Sequence, residues 1–284
     1  MLKTKKDTLD QIILEGQKKR PELETASIDH FFRMISKYFS WVFIKLKFTP
    51  NMITILAIIA SIIGGFYLAQ GNANGLLIAA LFFFLFLLFD YCDGEVARVL
   101  NKYSMAGHYL DYMAHFIMFS SLMIGLTYSV YNYHSNKIYL LLGLCGLAGI
   151  LLKSIATLLI SEVIITEHLR VMKKLSTSNV DINYYAKSNI ESISGWKDHK
   201  PSYIKYFHLL IRPSTGDDLL FFFVPFSIII YFFPTIIIKD MAIRLIDIYF
   251  VYICLTNIVL SLLLIFRTVR EKRVEASYNT VFGD

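Results

Sequence analysis

Two short stretches concentrate the residue types that bind metal ions and phosphate. One is Asp90-Tyr91-Cys92-Asp93-Gly94-Glu95-Val96-Ala97-Arg98; the other runs from Gly107 through Asp111 to His115. Asp90, Asp93, Gly94, Ala97 and Arg98 recur at helical spacing, so on a helix they share a face. Gly107, Asp111 and His115 are each four apart and share a face of the next helix. With a short connection between the helices, Asp90, Asp93, Asp111 and His115 can point at one place. Each carboxylate at membrane depth costs roughly 2.5–3.5 kcal/mol on an insertion scale. Converging carboxylates also repel one another. A divalent cation offsets both penalties, and oxygen ligands favour Mg²⁺ or Mn²⁺ over zinc. Gly94 lets a ligand approach the backbone, and Arg98 offers a planar fork suited to phosphate. Metal, arginine and bare backbone together are the equipment of phosphate transfer. One Asp and one Arg at a helix end would need no such explanation; the whole array does.

The elements that must carry these residues are membrane helices. The chain has 284 residues, 56% of them hydrophobic and only 18% charged, against roughly 25% charged in ordinary soluble domains. That balance excludes a disordered chain. With 14 Gly and 3 Cys it also excludes collagen-like and disulfide-scaffold classes. No Asp, Glu, Lys or Arg occurs from Phe48 to Phe89. About 20 apolar residues cross a bilayer, so this run suffices for two crossings. The pattern predicts an all-α polytopic bundle of six spans, at about 51–70, 75–100, 104–131, 138–161, 217–238 and 241–266. The turn Gly71-Asn72-Ala73-Asn74-Gly75 separates the first two. A polar loop is expected over about 166–216 and a basic tail over 267–284. Cys92, Cys145 and Cys254 lie in apolar stretches and read as buried small residues, without disulfide or zinc.

Ahead of the spans, residues 1–26 are polar and expected to be mobile. MLKTKKDTLDQ has no apolar core of a cleaved signal peptide. From Ser27 to Lys47, Ile28, Phe31, Phe32, Ile35, Phe39, Val42, Phe43 and Leu46 recur at helical spacing. Asp29, His30, Arg33, Ser36, Lys37 and Ser40 take the other side, and Trp41 adds an interfacial aromatic. This predicts an amphipathic helix lying in the membrane surface. The net charge of +6 gathers at the ends of apolar segments, which points to anionic headgroups and not to nucleic acid. Lys137, Lys239 and Arg244 fall on one side of a six-span bundle, and Lys153 falls inside the fourth span. The remaining basic residues fall on the side of the termini. That side, with the acidic motif, is expected to be cytoplasmic, in an inner or plasma membrane.

The motif stretch resembles the CDP-alcohol phosphotransferase (CDP-alcohol phosphatidyltransferase) family, whose signature is D-x2-D-G-x2-A-R-x8-G-x3-D-x3-D. Here Asp90, Asp93, Gly94, Ala97, Arg98, Gly107 and Asp111 match, and His115 replaces the last Asp. The six spans with a surface helix ahead of them are also similar to the family. The resemblance implies a membrane enzyme, usually a homodimer, that binds a CDP-linked alcohol and two divalent ions. It transfers the substituted phosphate to an acceptor alcohol and releases CMP. By matching position, Asp90, Asp93, Asp111 and His115 would hold metal. Gly94, Ala97, Arg98 and Gly107 would line the CDP site. Thr49-Pro50-Asn51-x-x-Thr54 is similar to the family's entry to its first span, which makes Asn51 and Thr54 nucleotide contacts. The family's last Asp is thought to take the proton of the attacking hydroxyl and to contact metal. Histidine can do either, and an unperturbed imidazole pKa of about 6.5 suits a base near neutral pH. The catalytic set is then His115, Asp111 and Arg98.

Other charged residues are open to two readings. Lys153 either holds an acceptor phosphate or snorkels to the headgroups. Arg212, before Pro213-Ser214-Thr215-Gly216-Asp217-Asp218, either binds phosphate or sits at the interface beside a helix cap. Arg244 and Asp247 read as an ion pair. Lys173-Lys174, Arg270, Lys272 and Arg273 read as lipid-facing charge. Gly143, Gly146 and Gly149 line one side of the fourth span and suit close helix packing or a dimer contact. Lys153 and Arg212 favour CDP-diacylglycerol as donor with a soluble anionic acceptor, over a soluble CDP-alcohol with a lipid acceptor. The competing classes are a cation transporter using the acidic cluster, a non-catalytic scaffold in which His115 marks lost activity, and a hydrolase with water as acceptor. A transporter leaves Gly94, Ala97 and Arg98 without a role.

Overall fold

The computed structural model describes residues 16–17, 27–177, 218–238 and 241–270. The polar stretch 1–26 apart from Gly16 and Gln17, Arg212 with its neighbours through Asp217, Lys239, Lys272 and Arg273 lie outside the described residues.

Helix α1 is Ser27–Lys45, α2 Pro50–Ala69, α3 Ala73–Leu100, α4 Met105–His134 and α5 Lys137–Thr177. Local chemistry sets these boundaries. Thr49 caps α2 by accepting from the Met52 amide, and Pro50 occupies the first turn, where a missing N–H costs nothing. Asn72 caps α3 through a 2.6 Å bond from the Gly75 amide. Asn101, at φ 51°, ends α3 in the left-handed conformation that asparagine tolerates. Three residues later Ser104 caps α4, accepting from the Gly107 amide at 2.9 Å. The reversal between α3 and α4 is therefore short, and the end of one motif helix adjoins the start of the other.

Five described helices are long and apolar enough to cross a membrane: α2, α3, α4, residues 137–156 of α5, and α7 (Leu245–Arg270). The protein is an all-α polytopic integral membrane protein. The first four spans stand close to where the sequence puts them, but α5 continues to Thr177, into the stretch expected as a loop.

The fifth expected span is shorter than 217–238. Helix α6 is Asp218–Phe232, about 22 Å at 1.5 Å per residue. Pro234 interrupts the backbone pattern just beyond it. The β-branched run that follows pairs instead as a hairpin, β1 (Thr235–Ile238) against β2 (Met241–Arg244), with Thr235 opposite Arg244 and Ile238 opposite Met241. Helix α7 consequently begins at Leu245, whose amide donates to the Pro234 carbonyl.

The main core lies where α3, α4, α6 and α7 meet, around Phe83, Phe86, Met118, Leu122, Phe223 and Phe250. A second cluster seats α1 on α2 and α3, through Phe43, Ile44, Ile53, Leu88, Cys92 and Val96. Here the structure corrects the amphipathic reading. Ser36 and Ser40, assigned to the polar face, are fully buried, while Phe31 and Val42 of the apolar face are exposed, as a face turned to lipid would be. The serines turn inward because α3 presents a buried carboxylate, Glu95, opposite them.

One further reading changes and another narrows. Cys92 and Cys254 are buried, but Cys145 is exposed on α5. The glycines of α5 pack within the chain: a Cβ on Gly146 would meet Cys254 of α7 at 2.8 Å, one on Gly149 the Asn257 backbone at 2.9 Å, and one on Gly143 would collide with Thr127 of α4. They serve α4 and α7, so this stripe is not available to a dimer contact. The ion pair read from sequence is present, with Arg244 Nη2 2.6 Å from Asp247 Oδ1.

Candidate active site

The ends of α2, α3 and α4 enclose a cavity of about 710 Å³. Asn51 and Thr54 reach it from α2, Asp93, Gly94, Ala97 and Arg98 from α3, and Gly107 and Asp111 from α4. Each of these was named from the sequence, and all eight line the same cavity. Thr54 Oγ1 donates to Asp93 Oδ2 at 2.6 Å, which ties the first span to the motif helix. The two motif glycines leave room that any side chain would take. A Cβ at Gly94 would press on the Arg98 guanidinium at 3.3 Å. A Cβ at Gly107 would lie 2.9 Å from Asn51 Oδ1 and 3.0 Å from Ser104 Oγ.

Asp90 and His115 lie one helical turn further from the α3–α4 reversal than Asp93 and Asp111, and neither lines the cavity. They meet each other across the helix pair. His115 Nε2 is 3.3 Å from Asp90 Oδ1 and 3.6 Å from Asp111 Oδ1. Ligand atoms of Asp90, Asp111 and His115 all lie within 4.8 Å of one another. The His115 ring stands edge-on to the buried Phe86, with centroids 5.7 Å apart. Asp111 belongs to both sets, lining the cavity and joining the carboxylate–imidazole group.

This group suits a divalent cation. Three half-buried side chains each offer one ligand atom to a common point. Two carboxylates and an imidazole make a mixed oxygen–nitrogen set, closer to the habits of Mn²⁺ than of Mg²⁺, which prefers oxygen throughout. Asp93, expected as a fourth ligand, is not in the group; its carboxylate faces Thr54 and the cavity.

The structure adds residues that the sequence reading passed over. Arg33 of α1 lines the cavity, as do Lys102, Ser104 and His108 around the α3–α4 reversal. Arg33 was assigned to the polar face of a surface helix. Its spacing of three and seven from Ser36 and Ser40 held the signal that all three share a face. Lys153 does not line the cavity; it is half-buried in α5.

A model of the CDP-alcohol phosphatidyltransferase family matches residues 47–184. By this match the stretch is similar to a CDP-alcohol phosphatidyltransferase domain. The match opens just before the Thr49 cap and takes in α2 to α5, and thus every motif residue on the cavity. Helix α1, with Arg33, and helices α6 and α7 lie outside it. No curated protein matches the chain. The match, in a chain of membrane-spanning helices, supports transfer of a substituted phosphate from a CDP-alcohol to an alcohol as the general activity. The family depends on divalent metal, which agrees with the Asp90–Asp111–His115 group.

Proposed function

We propose that this protein transfers the phosphatidyl group of CDP-diacylglycerol to a soluble polar alcohol and releases CMP, in phospholipid or lipid-linked glycan synthesis. The observation that carries the reading is the position of Asp111, shared by the motif-lined cavity and the carboxylate–imidazole group. A lipidic donor is supported by Arg33, which lines the cavity and lies on α1 between the exposed Phe31 and Met34. That arrangement lets a charged headgroup sit in the cavity beside an apolar surface for its chains. The enzyme works as a homodimer with both termini and the site on the cytoplasmic side.

In this reading Asn51, Thr54, Gly94, Ala97 and Gly107 shape the nucleotide side of the cavity, and Arg98 holds the diphosphate. A divalent ion, Mn²⁺ or Mg²⁺, held by Asp90 and Asp111 with Asp93 and His115 beside it, would neutralise diphosphate charge and stabilise departing CMP. The acceptor oxygen bonds to the phosphorus that carries the diacylglycerol. The bond from that phosphorus to the bridging oxygen breaks, and the bridging oxygen leaves with CMP. His115 takes the hydroxyl proton, and the adjacent Asp90 and Asp111 carboxylates balance the charge on its ring. A second reading is favoured by the convergence of His115 Nε2 with two carboxylate oxygens: His115 is then a metal ligand and no base.

The test is CMP release by the full chain in detergent, with Mg²⁺ or Mn²⁺ against EDTA. CDP-diacylglycerol, CDP-choline, CDP-ethanolamine and CDP-glycerol serve as donors, each with mixed alcohol acceptors. Metal-dependent CMP from CDP-diacylglycerol that needs an added alcohol is the expected result. CMP release without an alcohol would mean a hydrolase. Release from a soluble donor alone would reverse the donor assignment. No CMP from any donor in folded protein would leave a transporter or scaffold in its place.

A further inference from the structure

Helix α3 has two polar faces. One carries the motif. On the other, Glu95 is 1% exposed, surrounded by Cys92, Val96 and Val99, which are equally buried. No residue of its own helix is seen to satisfy its carboxylate. Ser36 Oγ donates to Oε1 at 2.6 Å, Ser40 Oγ to Oε2 at 2.6 Å and Gln17 Nε2 to Oε1 at 2.9 Å. All three donors come from the chain ahead of the first span. Both serines lie on α1, three and seven residues after Arg33. Gln17 also reaches the Arg33 carbonyl through the same Nε2. Its neighbour Gly16 is buried against α3 and accepts from Arg98 Nε through its carbonyl. A Cβ on Gly16 would meet Val99 Cγ2 at 3.2 Å and the Glu95 carbonyl oxygen at 3.4 Å, so the close approach suits glycine.

A buried carboxylate is costly unless fully hydrogen-bonded, and a network of this kind fixes geometry more than it adds stability. Plain apolar packing would seat α1 on α3 with less definition, since Phe43 and Ile44 already supply contact there. What the network defines is the azimuth of α1, and that azimuth decides whether Arg33 meets the cavity. We propose that Glu95 is a positioning residue: by pinning α1 and Gly16–Gln17 to the back of the motif helix, it sets Arg33 as a cationic wall of the donor cavity. Arg33 then contacts the diphosphate or headgroup phosphate of the donor, beyond the residues of the motif. The inference rests on the transferase reading for the identity of the ligand, but not for the clamp itself.

Two readouts on the full chain in detergent separate these parts. One is the KM and kcat for CDP-diacylglycerol with saturating metal and acceptor. The other is hydrogen exchange of the α1 amides. Glu95→Ala is expected to raise the donor KM about tenfold with kcat within threefold, and to deprotect α1. Glu95→Gln can still accept from Ser36 and Gln17 while donating to Ser40, and is expected to restore both. Arg33→Ala is expected to raise KM similarly while α1 stays protected. If Glu95→Ala does not fold, Ser36→Ala/Ser40→Ala removes two donors without emptying the core and is expected to raise KM and deprotect α1. Deprotection of α1 with an unchanged KM would overturn the proposal, as would unchanged protection in both clamp variants. Glu95-dependent protection in a wild type that releases no CMP would count for the clamp and against the transferase reading.

Discussion

Thr54 and Asp93 are joined by a 2.6 Å hydrogen bond between the first span and the motif helix, at the wall of the cavity. The hydroxyl also donates within α2, to the Pro50 carbonyl at 3.2 Å, so it is shared between the helix and the site. This bond orients Asp93, which is not part of the Asp90–Asp111–His115 group. Thr54→Val keeps the shape and deletes the donor. A hydrogen bond to a carboxylate contributes about 1.5 kcal/mol or more, which is roughly tenfold in affinity. Thr54→Val is therefore expected to raise the donor KM about tenfold, and Thr54→Ser to stay near wild type. Steady-state CMP release across donor concentrations checks both.

The opposite end of the bundle carries a clasp whose residues do not line the motif cavity. Arg244 Nη2 and Nε lie 2.6 and 3.0 Å from Asp247 Oδ1 and Oδ2, and His134 Nε2 lies 2.9 Å from Oδ2. The Arg244 guanidinium also sits 3.4 Å over the Tyr133 ring. Asp247 thus ties the end of α4 to the hairpin and the start of α7. Asp247→Ala leaves Arg244 partly buried without its carboxylate and is expected to cost about 2 kcal/mol, below the range for fully buried pairs. A thermal-shift assay in detergent should show a lower midpoint. Activity at low temperature should stay unchanged, because the cavity residues are not involved.

The motif helices and the cavity were legible in the sequence for a physical reason. Asp90, Asp93 and Arg98 interrupt an apolar run, and the periodicity of a helix then fixes which of them share a face. The caps at Thr49, Asn72 and Ser104 act over as short a range, though the sequence reading did not name them. What the sequence hid depends on partners far along the chain. Ser36 and Ser40 look like solvent residues until Glu95, more than fifty positions away, is set against them. The hairpin at Thr235–Arg244 was hidden because an isoleucine run reads equally as span or strand, and Pro234 decides it. The glycines of α5 signal close packing, but not whether the partner is α7 or a second copy.

Gly107 offers a steric test of the cavity. Its hypothetical Cβ would stand 2.9 Å from Asn51 Oδ1 and 3.0 Å from Ser104 Oγ, the hydroxyl that caps α4. Neither group can retreat without cost: Asn51 lines the cavity and Ser104 holds a helix cap. Gly107→Ala is expected to displace Asn51, lowering kcat/KM at least tenfold with a fall in thermal midpoint of a few degrees, since a cap contributes about 1 kcal/mol. Kinetics and thermal shift on the same preparation separate the two effects. Loss of stability without loss of kcat/KM would remove Asn51 from the binding site.

In the proposed mechanism His115 bears on both the metal preference and the proton route. Its Nε2 shares a point with oxygens of Asp90 and Asp111. EDTA is expected to abolish CMP release. Because imidazole suits Mn²⁺ better than Mg²⁺, the wild type is expected to be more active with Mn²⁺. His115→Asp makes the set all-oxygen, so it should shift preference toward Mg²⁺. His115→Ala separates the two roles. If His115 takes the proton, kcat should fall by about 10²-fold or more at every metal concentration, within the usual range for a positioned general base. Added imidazole should then recover part of the rate. If His115 serves only as a ligand, raising Mn²⁺ should restore kcat and imidazole should add nothing. Full turnover of His115→Ala at saturating metal would remove the base assignment and leave the attacking hydroxyl to another acceptor, for which Asp111 stands at the cavity wall.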